Sequence, residues 1–383
     1  MFNFTFLRSK LIDKKQAGWT MTMSILIIAL VVITIFATST GPSNISADKV
    51  VYITLSKSED FVLGILNGTF HLSIQKSIQK TWSSGEENIV FFVRLPRVLL
   101  GLMVGASLAV AGVTTQGIFK NPMADPYILG VSSGAAFGAA LVIVAGFTAL
   151  NYTIGPQFLS IDVGSLAITI GAFIGAVLSS LLVFNIARKG VKVPVETLLL
   201  SGIAVSAFFS AVTSFLMYIS GRSLNQIVYW VMGALWSSSW SDLVIVTPFT
   251  ILGAMIIYAY ARDLNVLLLG DETAVHLGTD VTRLKTVMLV LSSLIAASAV
   301  AVSGIIGFVG LIIPHMMRLI VGPDHRILLP SSMLVGAIFL TLADTFSRII
   351  IQPTEIPVGI ITALIGAPFF IYLLIKKKKE TIQ

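Results

Sequence analysis

The feature that most constrains this chain is a recurring apolar stretch about 20 residues long with at most two charged residues, the length a helix needs to cross ~30 Å of hydrocarbon. It occurs at roughly 21–40, 95–117, 128–149, 164–187, 195–219, 242–261, 284–303, 305–321, 331–351 and 357–375. Gly and Ser are mixed into these stretches, as they are in helical spans. Only 11% of the 383 residues are charged, against ~25% in an ordinary soluble domain. The expected fold class is therefore an all-α membrane protein with ten transmembrane helices. The weakest boundary is Ser303-Gly304, where one long span would reduce the number to nine.

Charge decides between nine and ten. Basic residues collect on the cytoplasmic side of spans. With ten spans and an inward N-terminus, the inner segments and span edges hold 17 of the 25 Lys and Arg residues. Both termini carry basic clusters, RSKLIDKK and Lys376 to Lys379, so both are expected in the cytoplasm and the span number is even. The resulting plan has a cytoplasmic tail at 1–20, a permease body at 21–375 and a second tail at 376–383. An external segment fills 41–93 and a large inner connection fills 262–283. The N-terminus reads as a retained tail and span rather than a cleaved signal, since no A-x-A-like site follows the apolar run. The excess of +7 lies in clusters beside spans, which speaks for topology and against nucleic acid as a partner.

Arg94 and Arg97 fall on the outer side of this plan, where they carry no topology signal. Two readings remain open for them. They snorkel to lipid phosphates, or they form a docking patch for an acidic partner through bidentate pairs with carboxylates.

Small residues recur at four-residue spacing: Gly101 and Gly105, then Gly130, Gly134 and Gly138, then Gly171 and Gly175. That spacing puts them on one helix face and favours close helix packing over a pore lining. The ionisable residues in or beside spans are Glu196, Asp242, His315, Arg318, Asp344 and Arg348. The carboxylates lie near span ends, and Asp344 has Arg348 as an i,i+4 partner. An ion-coupled carrier needs a relay nearer mid-membrane, so proton coupling is disfavoured. His315, next to a proline, reads as satisfying a kink rather than binding metal. The chain has no cysteine, and no Walker A or H-E-x-x-H motif. No catalytic residue, cofactor or metal is expected, and any driving energy comes from another subunit.

The inner connection ARDLNVLLLGDETAVHLGTDVTRLK reads as two short helices hinged at Gly278, with Thr279 or Asp280 as an N-cap. Asp271, Glu272, Ala274 and His276 occupy its centre. It is either a solvated loop or a coupling element that seats on a motor domain.

RLPR, GASLAVAG, QGIFKNPMADPYILGVSSGA, LLLGDETAVHLG, SGIIGFVGLIIPHMMRLIVGPDHRILLP, LADTFSR and EIPVGIITALIGAPFFIYLL together resemble the FecCD-type permeases, the membrane subunits of ABC importers for iron-siderophores, haem and cobalamin. The resemblance covers about residues 90–375. It implies a BtuC-like permease with two inverted four-helix repeats, spans two to five and seven to ten. The repeats leave only faint echoes here, AVAG near Gly112 and AVSG near Gly304. It also implies a second permease subunit, copy or paralogue, two ATPase subunits, an extracellular substrate-binding protein and membrane lipid as partners.

By the resemblance, Arg94, Arg97 and Arg348 dock the binding protein. Asp271, Glu272, Ala274, His276, Gly278 and Asp280 belong to the ATPase coupling helices. Ser206, Ser210 and Thr213 on span five are candidate path residues. The segment 58–89 is longer than the family usually has there, and reads as a surface embellishment or an extension of the binding-protein contact. The sequons at Asn44, Asn67 and Asn151 are discounted because the resemblance is to bacterial proteins. The expected function is import of ferric siderophore across the cytoplasmic membrane by alternating access. Haem or cobalamin import is the alternative, and an ion-coupled secondary transporter or a membrane scaffold represents a different class.

Overall fold

The computed structural model describes residues 2–43, 45–70, 76–149, 152–155, 161–188 and 194–382. Asn44, Asn151 and most of the inner segment 188–194 lie outside the described residues. The helices are α1 (Phe2–Ser39), α2 (Ala47–Phe70), α3 (Ser84–Asn88), α4 (Leu95–Phe119), α5 (Val131–Val144), α6 (Val163–Ala187), α7 (Val195–Ile219) and α8 (Leu224–Val231). They continue with α9 (Trp240–Ala259), α10 (Ala261–Leu267), α11 (Asp271–His276), α12 (Val281–Ser303), α13 (Val309–Val321), α14 (His325–Ile349) and α15 (Val358–Ile382). A two-stranded antiparallel ribbon pairs Thr153–Ile154 with Ile161–Asp162.

Among the described residues, eight helices are long and apolar enough to span a membrane, and α5 and α13 are shorter apolar helices. All ten coincide with the apolar stretches of the sequence. The break at Ser303-Gly304 is real. Gly304 has φ +68 and Phe308 φ 70, so the chain leaves helical geometry between α12 and α13. α1 begins at Phe2 and runs without interruption into its apolar window Ala17–Ser39.

α4 forms the axis. In its most apolar window 89% of the residues are buried, against 33% in α6 and in α7, so α4 meets protein on all sides where α6 and α7 keep one face outward. The glycine spacing does what packing requires. A methyl on Gly138 would overlap the Gly171 carbonyl of α6, and one on Gly112 would overlap the Gly310 carbonyl of α13. Lipid gives no hydrophobic drive for helices to associate, so backbone approach of this kind supplies the contact. The Ser107 and Thr250 hydroxyls, 2.6 Å apart, add a hydrogen bond between α4 and α9.

The two short helices hold corresponding places, third and eighth among the spans. Each follows an irregular segment that has entered the bundle, 120–130 before α5 and 304–308 before α13. These segments meet where the Tyr127 hydroxyl donates to the Ile306 carbonyl at 2.9 Å. Irregular backbone at membrane depth persists only when protein covers it, and here Pro126, Leu129, Gly130 and Ile306 are buried. The pairing of short helices in the two halves is what an inverted repeat produces.

The segment 41–93 has its own small core of Ile45, Val50, Ile53, Trp82 and Val90. Lys57 and Lys80 both pair with Glu87, and Lys49 pairs with Glu86.

Candidate functional site

Two clusters sit at opposite ends of the bundle, one at the end that carries α2 and one at the end that carries α11. At the α2 end, the residues leading into α4 form a π-helical turn, Ile89–Arg94. The Phe91 carbonyl would pair five residues on, but that residue is Pro96, which has no N–H. The Trp240 indole of α9 donates to it instead, at 3.0 Å.

The widened turn leads into three buried arginines. Arg94 donates to the carbonyls of Thr38, Ser39 and Ser43. Arg348 donates to those of Thr40 and Ala37, and to the Thr345 hydroxyl. A helix ends with carbonyls that have no intrahelical partner and with a negative dipole terminus, so two guanidiniums here cap α1. Arg97 holds Asp344 through Nε and Nη2, and Glu355 through Nη1 at 2.8 Å. Asp344 also meets Arg348 Nε at 3.3 Å, the i,i+4 contact expected from sequence.

The structure brings all three arginines together but corrects their expected exposure. They are only 4%, 7% and 4% exposed. Arg94 and Arg348 are buried against the carbonyl end of α1, which would otherwise lack donors, and Arg97 is buried against Asp344 and Glu355.

At the α11 end, the 262–283 connection does contain two short helices, α10 and α11. Their hinge is Gly270, with φ +118. Gly278, φ +88, turns the chain from α11 into α12 at the expected hinge position, but the helix that follows is span seven rather than a second short helix. Asp280 is the N-cap of α12, accepting the Arg283 N–H at 2.9 Å. Ala274 is fully buried beneath α11, whereas Glu272, His276, Val275 and Leu277 are exposed.

Asp271 is tied on two sides, to Lys120 just after α4 at 2.6 Å and to Lys285 of α12 at 2.5 Å. Partial burial pushes its carboxyl up, but the two ammonium groups outweigh burial and hold it below the usual carboxylate range. From α10, Asn265 donates to Asp324 at 2.8 Å and accepts from the His325 backbone N–H. His325 is fully buried and lies against Gly117 of α4. Sequence reasoning missed Lys120, Lys285, Asn265 and His325 as members of this cluster. The only signal for the lysines was a basic residue flanking an acidic short helix in each neighbouring span.

The three path candidates separate. Ser210 lies on the exposed face of α7 and Ser206 at its border. Thr213 is 5% exposed and bonds the Phe209 carbonyl of its own helix, so it faces the bundle. His315 follows Pro314 within α13 and belongs to no group of three possible metal ligands among the described residues.

Comparison with known proteins agrees with this architecture. A cobalamin import system permease protein of Halobacterium salinarum is 51% identical over 286 residues, 75% of this chain and 73% of the relative. A hemin transport system permease protein of Yersinia pestis is 40% identical over 80% of this chain and 90% of its own. Among solved structures, an inward-facing conformation of a metal-chelate type ABC transporter superposes with TM-score 0.74 at 33% identity, covering 92% of this chain and 98% of that one. With residues 29–376 matching the pattern of the FecCD transport family, the chain belongs to that family and is a permease component of an ABC importer.

Proposed function

We propose that this permease receives cargo from a substrate-binding protein at the α2 end, in the extracellular space, and is driven by two ATPase subunits at the α11 end in the cytoplasm. The observation that carries this reading is the double tie of Asp271. α11 and the turns on either side of it offer exposed Val275, Leu277 and Leu269 to a partner, while Asp271 links α11 to the ends of spans two and seven. Through Asn265, Asp324 and His325, α10 grips the start of span nine. A push on α10 and α11 therefore enters α4, α12 and α14 together. α4 and α14 are joined again at the far end by Arg97 and Asp344. The two helices would move as one body and open or close the path by alternating access.

The exposed face of α7 carries Ala204, Ala207, Ala211 and Ser214 between Leu200 and Tyr218. Small residues in such a row suit close contact with a helix of a second permease subunit. Ser206 and Ser210 would then lie beside the path formed between the two subunits.

Docking by Arg94, Arg97 and Arg348 enters in modified form. They hold the ends of α1, α4 and α14 in the shape that the binding protein meets. For cargo, the 51% identity to a cobalamin permease supports a corrinoid ahead of the ferric siderophore expected from sequence, with haem as a further candidate.

An ion-coupled carrier is disfavoured because Asp344 is committed to arginines and Asp242 caps its own helix. The test is reconstitution into liposomes with and without the ATPase and binding protein, offering cyanocobalamin, haemin or a ferric siderophore. Uptake is expected only with all components and ATP. Accumulation by the lone permease would eliminate the proposal.

A further inference from the structure

A cavity of about 410 Å³ opens at the α2 end, inside a single subunit, between α6, α8, α9 and α12. It falls within the ~300–1,000 Å³ range of small-molecule pockets. Asp162, Asp242, Gln226, Tyr229, Trp230 and Trp236 line it, and no Lys or Arg does. Its carboxylates are of two kinds. Both oxygens of Asp162 accept N–H groups at the start of α6. Asp242, only 8% exposed, uses Oδ2 for the Ser239 N–H and hydroxyl, at 2.9 and 2.7 Å. No hydrogen bond reaches its Oδ1 among the described residues, although this carboxylate borders the cavity.

Oδ1 is not among the fully enclosed polar atoms, so it opens onto the cavity, and a carboxylate oxygen there favours a cationic or protic group that meets it. The two helix N-termini, worth roughly +0.5 each, offset about half of the two negative charges. The remainder favours a cation. Indole and phenol rings attract cations through their quadrupoles, organic ammonium groups above all. A bare divalent ion fits less well, because it needs six or more oxygens at close range. Two carboxylates here, partly spent on caps, share the wall with three aromatic side chains. The described residues contain no group of three possible metal ligands.

We propose that this cavity binds an organic ammonium group, with Asp242 Oδ1 as its counter-ion and Tyr229, Trp230 and Trp236 as its aromatic wall. The site is separate from the α7 face and the arginine cluster, so it does not depend on the importer reading. The ammonium could belong to a free amine or to a lipid headgroup.

The test is calorimetric titration of the purified full-length chain, in lipid-free detergent, with choline and with its uncharged isostere 3,3-dimethylbutanol. Choline is expected to bind saturably and the isostere at least ten-fold more weakly. Asp242→Asn keeps an oxygen at N3 that can accept the Ser239 N–H of the α9 capping box and should weaken choline by ten-fold or more, and Trp236→Leu should weaken it several-fold. Arg222→Gln, away from the cavity, should change nothing.

Repeating the titration with dihexanoyl phosphatidylethanolamine and with ethanolamine separates the sources. Tighter lipid binding assigns the site to a headgroup, and equal binding assigns it to a free amine. Should Asp242→Asn fail to fold, the wild-type comparison of choline with its isostere still decides. Equal affinity of the two, or choline binding unchanged in a folded Asp242→Asn, overturns the proposal.

Discussion

The Arg97 guanidinium lies against the Asp344 carboxylate, 2.9 Å from Nη2 to Oδ1, although 247 residues separate them in the chain. The pair joins span two to span nine where both are buried. Breaking a buried ion pair is strongly destabilising because it strands the remaining charge. Asp344→Ala would leave Arg97 and Arg348 with Glu355 as their shared counter-ion, and should cost about 3–5 kcal/mol. Arg97→Ala should cost less, since Arg348 still meets Asp344. Thermal unfolding of the purified variants in detergent checks the order.

Arg94 and Arg348 satisfy the last carbonyls of α1. Arg94→Ala with Arg348→Ala should fray that helix end, seen as faster amide hydrogen exchange at residues 38–43. Exchange at the α11 end, in Asp271–His276, should stay as in the wild type.

Gly138 and Gly171 touch through their backbones. Gly138→Leu should separate α5 from α6 and reduce the yield of folded protein sharply, as overpacking by a whole side chain costs about 1–3 kcal/mol or more. Gly18, with open space where a Cβ would stand, should accept leucine without loss.

Asp271 titrates below the usual carboxylate range because Lys120 and Lys285 outweigh its partial burial. Its contribution to stability is therefore complete above the unfolded value near ~3.9 and is lost as pH falls through the lowered native value. The carboxylate is 47% exposed, so the stabilisation should be at most about 1 kcal/mol. Wild type and Asp271→Asn should differ in unfolding midpoint at pH 7, and the difference should begin to shrink only below about pH 4 and vanish below the lowered native value of the carboxylate. In the assembled importer, Asp271→Asn should lower cargo-stimulated ATPase activity far more than it lowers stability.

The spans were legible because their length and lack of charge are dictated by the bilayer, and the glycine pairs because close packing needs a four-residue repeat. The end of α12 at Ser303 was legible from Ser-Gly chemistry. The early end of α5 was not, since residues 145–149 remain apolar while Gly146, φ +78, breaks the helix. The short α8 was also missed, because eight residues between two spans give too little pattern. The arginines were found as a cluster, but burial was not. A guanidinium that caps a distant helix has the same sequence signature as one that waits for a partner. Lys120 and Lys285 meet Asp271 only through the fold, which no local spacing encodes.

The central claim is that α11 faces the ATP supply, with both termini on the same side. The chain has no native cysteine, so a single Val275→Cys reports on α11 without background. A membrane-impermeant maleimide should leave this cysteine unlabelled in intact cells and label it in inverted vesicles, and added ATPase subunits should then protect it. Labelling of Val275→Cys in intact cells would contradict the account.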